Sequence, residues 1–480
     1  MFKSKNQIDM CSGPIFSKMI AYAIPLMLSG YLQLLFNAAD MAIVGQFGSN
    51  GERSLAAVGA TSSLVNLIIN IFIGMSAGAN AVVARRVGAG DKNGIRRAVH
   101  TAVFLGIVSG FFVLIIGLIL AKPLLGVMQT PSDVIELSAL YLKLYFLGAP
   151  FLMFYNFGSA ILRAVGDTKR PLYFLTASGV LNVVLNLIFV VVFSMDVAGV
   201  AIATVASQVL SAVLVFITLM RHQSEIRLFP TEIRLYKTEF LQIIQIGIPA
   251  GIQSSMFSIS NMIVQSSINF FGTATIAASS AASSIEGFVY VGMNCFYQTV
   301  LSFVSQNYGR RNFVRIKRII FRGIVLVVCA GLLIGTAVMS CNEFLIGLYL
   351  PSDAVNKAEL INIAFQRNNI VIWPYFLCGI MDVLVGGLRA MGQSLIPMIA
   401  SIIGVCGGRM FWIFVIFEHF KYSQGIDVLG FHLTPLQILM FAWPFAWIVT
   451  LIFHLITLIY EFRKNKKKDE AINKINVINH

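Results

Sequence analysis

Long apolar runs recur along the whole sequence and are separated by short polar segments. A helix needs roughly 20 apolar residues to cross the hydrocarbon core of a bilayer, because no water is present there to satisfy bare backbone groups. Apolar residues make up 57% of the 480 residues and charged residues only 12%, about half the charged share of a soluble domain. The sequence therefore predicts an all-α polytopic membrane protein.

The apolar runs predict 12 transmembrane helices when they are read with this minimum length. Six fall in each half of the chain. The predicted spans are 16–44, 55–83, 98–121, 135–161, 172–194, 197–220, 239–268, 275–304, 319–341, 361–387, 396–417 and 435–461.

Lys and Arg are concentrated in alternate polar segments, and this alternation predicts the orientation of the chain. The basic segments include RRVGAGDKNGIRR (85–97), GRRNFVRIKRIIFR (309–322) and the tail RKNKKK (463–468). Basic residues are retained on the cytoplasmic side, so both termini are predicted to be cytoplasmic. The net charge of +14 then reflects topology and attraction to anionic membrane lipids, and nucleic acid is not an expected partner.

An internal repeat is visible in two similar phrases, LRAVGDTKRP at 162–171 and LRAMGQSLIP at 388–397. The segment 24–48 also matches 248–272. Because each repeat holds an even number of predicted spans, both repeats enter the membrane in the same direction, as in transporters whose two halves rock around a central site. The expected domains of these two pseudo-symmetric six-helix bundles are a cytoplasmic N-terminus (1–15), an N-terminal lobe (16–220), a cytoplasmic linker (221–238), a C-terminal lobe (239–461) and a basic cytoplasmic tail (462–480).

The doubled phrase falls in the cytoplasmic turn after the fourth predicted span of each lobe. Its Gly can end one helix and its Pro can start the next. We expect the turns to be structural or gating elements, with direct contact to a substrate as the alternative. The residues assigned to these turns are Arg163, Gly166, Arg389 and Gly392.

Asp40 is an acidic residue inside the first predicted span. Ionisable residues within a span cost roughly 2.5–3.5 kcal/mol on insertion scales and are functional candidates by default. Gln33, Asn37 and Asp40 are spaced to lie on one helical face, and Asn182 and Asn186 form a polar stripe on the fifth span. A carboxyl among amides could exchange a proton or bind Na⁺ with amide oxygens. The alternative is a neutral polar contact that joins two helices.

The C-terminal lobe keeps a polar stripe on its first helix but has Val264 where the N-terminal lobe has Asp40. Charges occur instead in the eighth, tenth and eleventh spans, and they could form an internal ion pair or line a cavity that attracts cations. Aromatic and Met side chains could hold flat organic cations or could be ordinary core or lipid-facing residues. The substrate-cavity candidates from these two groups are Asn261, Gln265, Glu286, Asp382, Arg409, Tyr155 and Met293.

The sequence has no enzymatic motif in a suitable structural context. GMSAG at 74–78 spells GxSxG, but a nucleophile elbow requires a strand-turn-helix, and this stretch lies in an apolar helix where small residues favour helix packing. The sequence contains neither a Walker A loop nor HExxH. We therefore expect a transporter, not an enzyme, that runs on an ion gradient or downhill.

The order of several motifs resembles the multidrug and toxic compound extrusion (MATE) family over nearly the whole chain. These motifs are NAADMAIVGQFG (37–48), GMSAGANAVVARRVGAG (74–90), LNVVLN (181–186), AGVAIATVASQ (198–208) and the doubled phrase. The resemblance implies a V-shaped pair of six-helix bundles that exports small organic cations in exchange for H⁺ or Na⁺, without a cofactor. We expect a monomer in a bacterial cytoplasmic membrane.

Carried over by motif, Asp40 resembles the cation-coupling carboxylate of this family, with Pro25 as a nearby bend in the same helix. Some members have an Asp where this chain has Asn186, so the choice of ion stays open. An alternative function is a flippase for a lipid-linked saccharide, which should have a cationic cavity, whereas the intramembrane charges recognised here are mainly acidic, with Arg409 opposing. The resemblance also implies N-terminal-lobe partners at Gln33, Asn156, Asn182, Asn186 and Thr204. The expected cation-coupling set is Asp40, Asn182, Asn186 and Thr204, and the substrate-cavity candidates of this lobe also include Pro25, Gln33, Asn37 and Asn156.

Overall fold

The structure is a computed structural model that describes residues 7–48, 51–128, 130–131, 134–350, 356–428 and 431–478. Helices dominate it, as the apolar runs predict. In the first part of the chain the α-helices are α1 (Ile15–Phe47), α2 (Gly51–Ala89), α3 (Lys92–Val127), α4 (Ile135–Leu147), α5 (Ala149–Ala164), α6 (Lys169–Asn186) and α7 (Asp196–Met220). Helix α6 continues directly into a π-helical segment, Leu187–Val192.

A loop with a short 3-10 turn at Pro230–Glu232 leads into the second part of the chain. Two further π-helical segments, Ile402–Gly407 and Trp412–Phe417, interrupt one of its helices. Its α-helices are α8 (Lys237–Ile268), α9 (Thr273–Gly309), α10 (Phe313–Ser340), α11 (Asn342–Tyr349), α12 (Lys357–Ile372), α13 (Tyr375–Ala390), α14 (Leu395–Ser401), α15 (Gly408–Phe411), α16 (Glu418–Phe420), α17 (Pro435–Met440) and α18 (Ala442–Ile478). A 3-10 turn at Asn269–Phe271 separates α8 from α9.

A small antiparallel hairpin is the departure from an all-α fold. Strand β1 (Ile426–Val428) pairs with β2 (Phe431–Leu433), with Ile426 opposite Leu433. The hairpin lies between α16 and α17. Its strands are too short to have been visible as an alternating pattern beside the long apolar runs.

Among the described residues, eight helices are long and apolar enough to cross a membrane, or up to ten if two bent helix pairs each form one span. These ten correspond to ten of the predicted spans. Helices α8 and α9, with 32 and 37 residues, occupy the other two predicted positions and are rich in Ser, Asn and Gln. Their polar content explains why hydropathy alone does not identify them.

Two predicted spans are bent instead of continuous. Helices α4 and α5 meet at 47°, and α12 and α13 meet at 41°. Each break has a Gly or Pro at its centre: Pro150 follows Gly148 at the first, and Pro374 precedes α13 at the second. Proline supplies no backbone N–H to the preceding turn, so the helix bends there.

The chain divides into two compact units. The first unit comprises Met1–Ser255 and Gln298–Arg322, and the second comprises Met256–Tyr297 and Gly323–His480. The boundaries fall inside α8, α9 and α10, so these units differ from the two halves of the sequence. The first turns of α8 belong to the first unit because of the way they pack on α2.

Glycines bring α2 and α8 into backbone contact within the first unit. Gly74 of α2 faces Gly251 of α8, and a Cβ atom added at Gly74 would lie 2.5 Å from the Cα of Gly251. A Cβ at Gly247 would likewise lie 2.5 Å from the Cα of Met75. GMSAG at 74–78 and GIPAG at 247–251 thus form a close small-residue helix contact. The GxSxG spelling therefore reflects packing.

The two copies of the doubled phrase form the same turn. Gly166 and Gly392 adopt left-handed φ angles of 91° and 96°, which favour glycine. In the first copy the N–H of Asp167 donates to the carbonyl of Leu162, and in the second Gln393 donates to Leu388, both at 3.0 Å. Each turn therefore ends its helix with the same closing hydrogen bond.

Candidate functional site

Asp40 lies in the C-terminal half of α1 and is buried, with 9% of its surface exposed. The Asn186 side chain, at the last residue of α6, donates a hydrogen bond from Nδ2 to Asp40 Oδ1. The two helices pack against each other along their length. One buried carboxyl thus joins the first and fifth predicted spans.

A short polar network extends from this pair. Asn186 Nδ2 lies 3.4 Å from Asn182 Oδ1, and Asn182 Nδ2 lies 3.4 Å from Thr204 Oγ1 on α7. Asn182 and Thr204 also lie near the Asp40 carboxyl. The structure therefore brings together the four residues predicted as the cation-coupling set, from three helices.

The local backbone departs from a regular helix directly beside this network. The π-helical segment Leu187–Val192 begins at the residue after Asn186. Such segments are uncommon and are frequent at functional sites. An apolar cluster that includes Val44, Val190 and Val200 packs next to the network, which keeps the carboxyl in surroundings of low polarity.

Asp40 has polar partners but forms no ion pair with a basic side chain in the part of the chain that the structure describes. In addition, Asn186 Oδ1 is buried and has no hydrogen-bond donor among those residues. A protonated Asp40 could donate to that oxygen, and a small cation could be bound by the carboxylate, the amide oxygens and Thr204 Oγ1. The described residues contain no cluster of three or more His, Cys, Asp or Glu suited to a metal ion. Carboxylate, amide and hydroxyl oxygens are hard donors, which do not favour a soft transition metal.

Several predicted partners lie outside this network. Gln33 and Asn37 are exposed, while Asp40 on the same helix is buried. Asn156 donates to the carbonyl of Leu152 in its own helix at 2.9 Å, and the Tyr155 hydroxyl donates to the carbonyl of Pro171 at 3.2 Å. Asn156 and Tyr155 thus contact backbone carbonyls and not the Asp40 carboxyl.

The expected proximity of Pro25 to Asp40 is wrong. Both lie in α1, but about four helical turns, or roughly 22 Å, separate them along the helix axis. Pro25 is buried, and its carbonyl accepts a hydrogen bond from Ser29 at 2.8 Å. Proline frees a backbone carbonyl one turn earlier, so its influence is local. The sequence motif contains both residues but does not bring them together.

The charges of the second unit contact partners that the sequence did not identify. Glu286 of α9 forms an ion pair with Arg367 of α12 at 2.6 Å, and not with Arg409. Arg409, on α15, donates to Asn261 Oδ1 at 2.6 Å and to Ser260 Oγ at 3.3 Å. The alternative of an internal ion pair therefore holds for Glu286, but with a different partner.

Arg367 and Trp443 were missed from the sequence. The guanidinium carbons of Arg367 and Arg409 lie 5.5 and 5.2 Å from the centre of the Trp443 ring. Arg367 stands in the polar stretch QRNN near the start of its predicted span, which resembles the end of a helix. Its only sequence signal was a basic residue inside the predicted interval 361–387.

Buried arginines accompany the acidic residues of the second unit. Arg367, Arg389 and Arg409 are 2%, 5% and 5% exposed, against 8% for Asp382. Arg389 donates to the Tyr297 hydroxyl at 2.7 Å, and Asp382 is within hydrogen-bonding reach of Asn294. With Glu461, which is 5% exposed, the described buried charged residues of the second unit are three arginines and two acids.

The remaining cavity candidates differ in their surroundings. Gln265 Nε2 lies 3.5 Å from Asn269 Oδ1 at an exposed position. Met293 is 2% exposed and packs beside Gly331 and Gly379, so it contributes to the core. Arg163 is half-buried, and its backbone carbonyl accepts a hydrogen bond from the Tyr22 hydroxyl at 3.0 Å.

Comparison with known proteins gives this arrangement a family. The model of the MatE family matches residues 25–188 and 249–414, which contain both Asp40 and Arg409. The chain belongs to the MatE family. The resemblance read from the sequence motifs is thereby confirmed.

The MatE relatives span nearly the same length as this chain. Probable multidrug resistance protein YoeA of Bacillus subtilis is 26% identical over 423 residues, covering 87% of this chain and 89% of that protein. Probable multidrug resistance protein YpnP of the same organism is 28% identical over 410 residues, covering 84% and 88%. An outward-facing multidrug resistance MATE family transporter has a TM-score of 0.85 and 22% identity, covering 97% of this chain and 100% of that one.

Membership of this family decides the class of activity. MatE proteins are transporters and not enzymes, and they need no cofactor. Together with the long apolar helices, the family indicates a multi-pass protein of the cell membrane. The fold is nearly all-helical and matches that of solved MATE transporters.

Proposed function

We propose that this protein is an antiporter that exports small amphipathic organic cations in exchange for H⁺ or Na⁺, by alternating access. The names of YoeA and YpnP, multidrug resistance proteins, support drug export. The proposal includes 12 membrane spans, cytoplasmic termini and action as a monomer. It also keeps the exposed polar residues Gln33 and Asn37 as candidates for the substrate cavity.

The observation that carries the proposal is the pairing of buried Asp40 with neutral partners. A carboxyl that had only to join two helices could be replaced by an amide at no electrostatic cost. Asp40 instead sits among Asn182, Asn186 and Thr204, which can hydrogen-bond to it in either protonation state. Uptake and release of a cation at this point would change the charge between α1, α6 and α7.

A simple exchange sets an energetic limit. If one H⁺ at Asp40 is exchanged for one monovalent organic cation, no net charge crosses the membrane and the membrane voltage does no work. Each pH unit then supplies about 1.4 kcal/mol, which corresponds to roughly a tenfold substrate gradient. A strong voltage response at zero pH and Na⁺ gradient would rule out this electroneutral exchange.

The test is ethidium transport in proteoliposomes, first under an imposed pH gradient and then under an imposed Na⁺ gradient. We expect one of the gradients to drive ethidium movement in the parent protein and to identify the coupling ion. Asp40→Asn should reduce this movement by at least about 100-fold, since an amide cannot release a proton. Its expression and thermal stability should stay close to those of the parent.

Asp196→Asn is the matched control, because Asp196 is a carboxyl of the first unit with 8% exposure at the start of α7. It should retain most transport. Equal losses in both variants, or preserved transport in Asp40→Asn, would remove Asp40 from the coupling mechanism.

The flippase alternative gains support from one observation. A lipid-linked saccharide carries pyrophosphate, which needs cationic partners, and the second unit holds three buried arginines, Arg367, Arg389 and Arg409. If neither gradient moved ethidium, transfer of a lipid-linked saccharide across vesicle membranes would be the next activity to measure. Gradient-driven ethidium movement that depends on Asp40 would argue against it.

A further inference from the structure

The second unit contains a buried positive charge that its neighbours do not neutralise. Arg409 is 5% exposed, and among the described residues its hydrogen-bond and ring contacts are the neutral groups of Asn261, Ser260 and Trp443. The acid that acts on it electrostatically is Glu286, which it shares with a second arginine. Placing a charged guanidinium in apolar surroundings without a counter-charge is costly. The nearby acid Glu286 already forms an ion pair with Arg367.

Hydrogen-bond donors also remain unused at the same place. Arg409 Nε, Arg367 Nε and Arg367 Nη1 are buried and have no hydrogen-bond partner among the residues that the structure describes. Both guanidinium groups lie over or beside one indole ring, that of Trp443, which is itself 5% exposed. Three unused donors and one unbalanced positive charge therefore surround a single aromatic side chain.

We propose that Arg367, Arg409 and Trp443 form a binding site for a singly charged oxyanion, the carboxylate of a zwitterionic amphiphile. Guanidinium groups bind carboxylates through two parallel hydrogen bonds, and the indole offers an apolar face to the attached aromatic body. This inference deepens the proposed function, on which it rests for the transport step. It extends the substrates from purely cationic molecules to molecules that carry a carboxylate as well.

The geometry gives the two arginines different roles. Arg409 supplies the net charge, because its partners Asn261 and Ser260 are neutral. Arg367 keeps its Nη2 on Glu286 at 2.6 Å and offers Nε and Nη1. Glu286 thereby fixes the orientation of Arg367 while leaving two of its donors for the anion.

A matched pair of dyes tests the proposal. Rhodamine 110 carries a free carboxyl group, and rhodamine 123 is its methyl ester with the same fluorophore. Their equilibrium binding to the purified full-length protein, in nanodiscs of neutral phosphatidylcholine, would be measured by fluorescence polarisation. The measurement needs no ion gradient, so a failure of gradient-driven ethidium transport would leave its result intact.

Arg409→Gln should weaken rhodamine 110 binding about tenfold, the range expected for loss of a charge-assisted hydrogen bond. Rhodamine 123 binding should stay within about twofold of the parent, which also shows that the variant is folded. The double variant Arg367→Gln/Glu286→Gln removes both members of an ion pair and so leaves no unpaired acid. It should weaken rhodamine 110 binding selectively as well.

Lys421→Gln is the control for loss of a positive charge in the second unit, since Lys421 lies away from the cluster, beside Phe270 and Tyr422. It should leave both dyes unaffected. The proposal is overturned if Arg409→Gln and the double variant leave rhodamine 110 binding unchanged, or if they weaken both dyes equally.

The headgroup of an anionic lipid also presents an oxyanion. A second binding experiment distinguishes a lipid headgroup from a substrate carboxylate as the ligand. Adding phosphatidylglycerol to the nanodiscs should leave rhodamine 110 binding unchanged if the site takes a substrate carboxylate. Phosphatidylglycerol could instead displace rhodamine 110 from the parent protein while leaving the residual binding to Arg409→Gln unchanged. That result would support the oxyanion site but show that its ligand is a phosphodiester headgroup. Displacement in both proteins would overturn the site.

Discussion

Equivalent helices of the two units are joined by side chains of opposite charge. In the first unit, α1 and α6 meet through Asp40 and Asn186. In the second unit, the equivalent pair is α8 and the helix that contains α15, and they meet through Asn261 and Arg409. The repeat places Val264 where the first unit has Asp40, and Trp412 where it has Asn186.

This difference teaches that a repeated fold need not repeat its chemistry. The same two helices approach closely in both units, and in each a π-helical segment begins at or just after the Asn186-equivalent position. The backbone supplies a place where a polar contact can be held between helices. The side chains then make that place acidic in one unit and basic in the other, which fits a protein that handles a coupling cation and a substrate separately.

The largest effect is expected when the carboxyl of the first unit is transferred to the equivalent position in the second unit. In Asp40→Val/Val264→Asp the carboxyl is transferred to the equivalent helix, where Val264 is fully buried. We expect gradient-driven ethidium transport to fall at least about 100-fold, because the second unit has Trp412 where the first unit has Asn186. Transport in proteoliposomes would show this loss.

The single variant Val264→Asn, with Asp40 retained, checks that α8 tolerates a polar side chain at this position. It should keep most transport. Restored transport in the double variant would show that the two units are interchangeable and would end the argument for a division of roles.

Glycines provide a second contrast, with a smaller effect. Gly74 meets the backbone of α8 in the first unit, whereas a Cβ at Gly287 of the second unit would meet nothing within 4 Å. Gly74→Ala should lower the free energy of unfolding by about 1–3 kcal/mol through overpacking. Gly287→Ala should raise it by up to about 1 kcal/mol, because alanine favours the helix.

Thermal unfolding followed by a thiol-reactive dye would compare the two glycine variants. The expected order of stability is Gly287→Ala, then the parent, then Gly74→Ala. A Gly74→Ala protein as stable as the parent would mean that the two helices can separate slightly without cost.

The smallest expected effect concerns two loop histidines. Burial lowers the pKa of His222, between α7 and α8, from 6.5 to about 4, whereas a hydrogen bond to Asp427 raises the pKa of exposed His432 in the hairpin. Below pH 6.5 His222 is protonated in the unfolded chain but stays neutral in the folded protein. The free energy of unfolding therefore falls as the pH drops from 6.5 towards 4. Protonated His432 instead stabilises the folded protein, and this stabilisation is lost as the pH rises through the raised pKa of His432.

His222→Gln should therefore remove about 1–2 kcal/mol of the acid-induced loss of stability between pH 6.5 and 4. His432→Gln should lower stability only slightly, and only at pH values below the raised pKa of His432, where the protonated imidazole is stabilised by Asp427. Melting temperatures measured across this pH range would separate the two effects. A parallel pH profile for the parent and His222→Gln would contradict the inference from burial.

Much of the fold could be predicted from the sequence, because hydrophobic length and charge segregation act over whole helices. The apolar runs located the helices, and the doubled phrase located two identical turns. The breaks at Gly148 and Pro374 could have been anticipated from the Gly and Pro residues themselves. The hairpin at Ile426–Leu433 could not, since strands of three residues leave no clear periodicity.

The site was predictable where residues share a helix face or a family motif, and unpredictable where distant segments meet. Asp40, Asn182, Asn186 and Thr204 come together as expected. The pairing of Glu286 with Arg367 depends on how α9 packs on α12, about 80 residues later, which no local pattern encodes. Pro25 shows the reverse error, because closeness within a motif is not closeness in space.

The π-helical segments have a mechanical consequence. A π turn holds one residue more than an α turn, so the helix beyond it is rotated relative to a regular continuation. If such a turn moved along the helix by local exchange of carbonyl partners, the residues it passed would revolve about the axis while almost all backbone hydrogen bonds remained. Asn186 directly precedes one such segment, and Arg409 lies in the short α-helical stretch between the other two. Each unit thus contains a screw-like element that could turn a polar side chain towards or away from its partner without unwinding the helix.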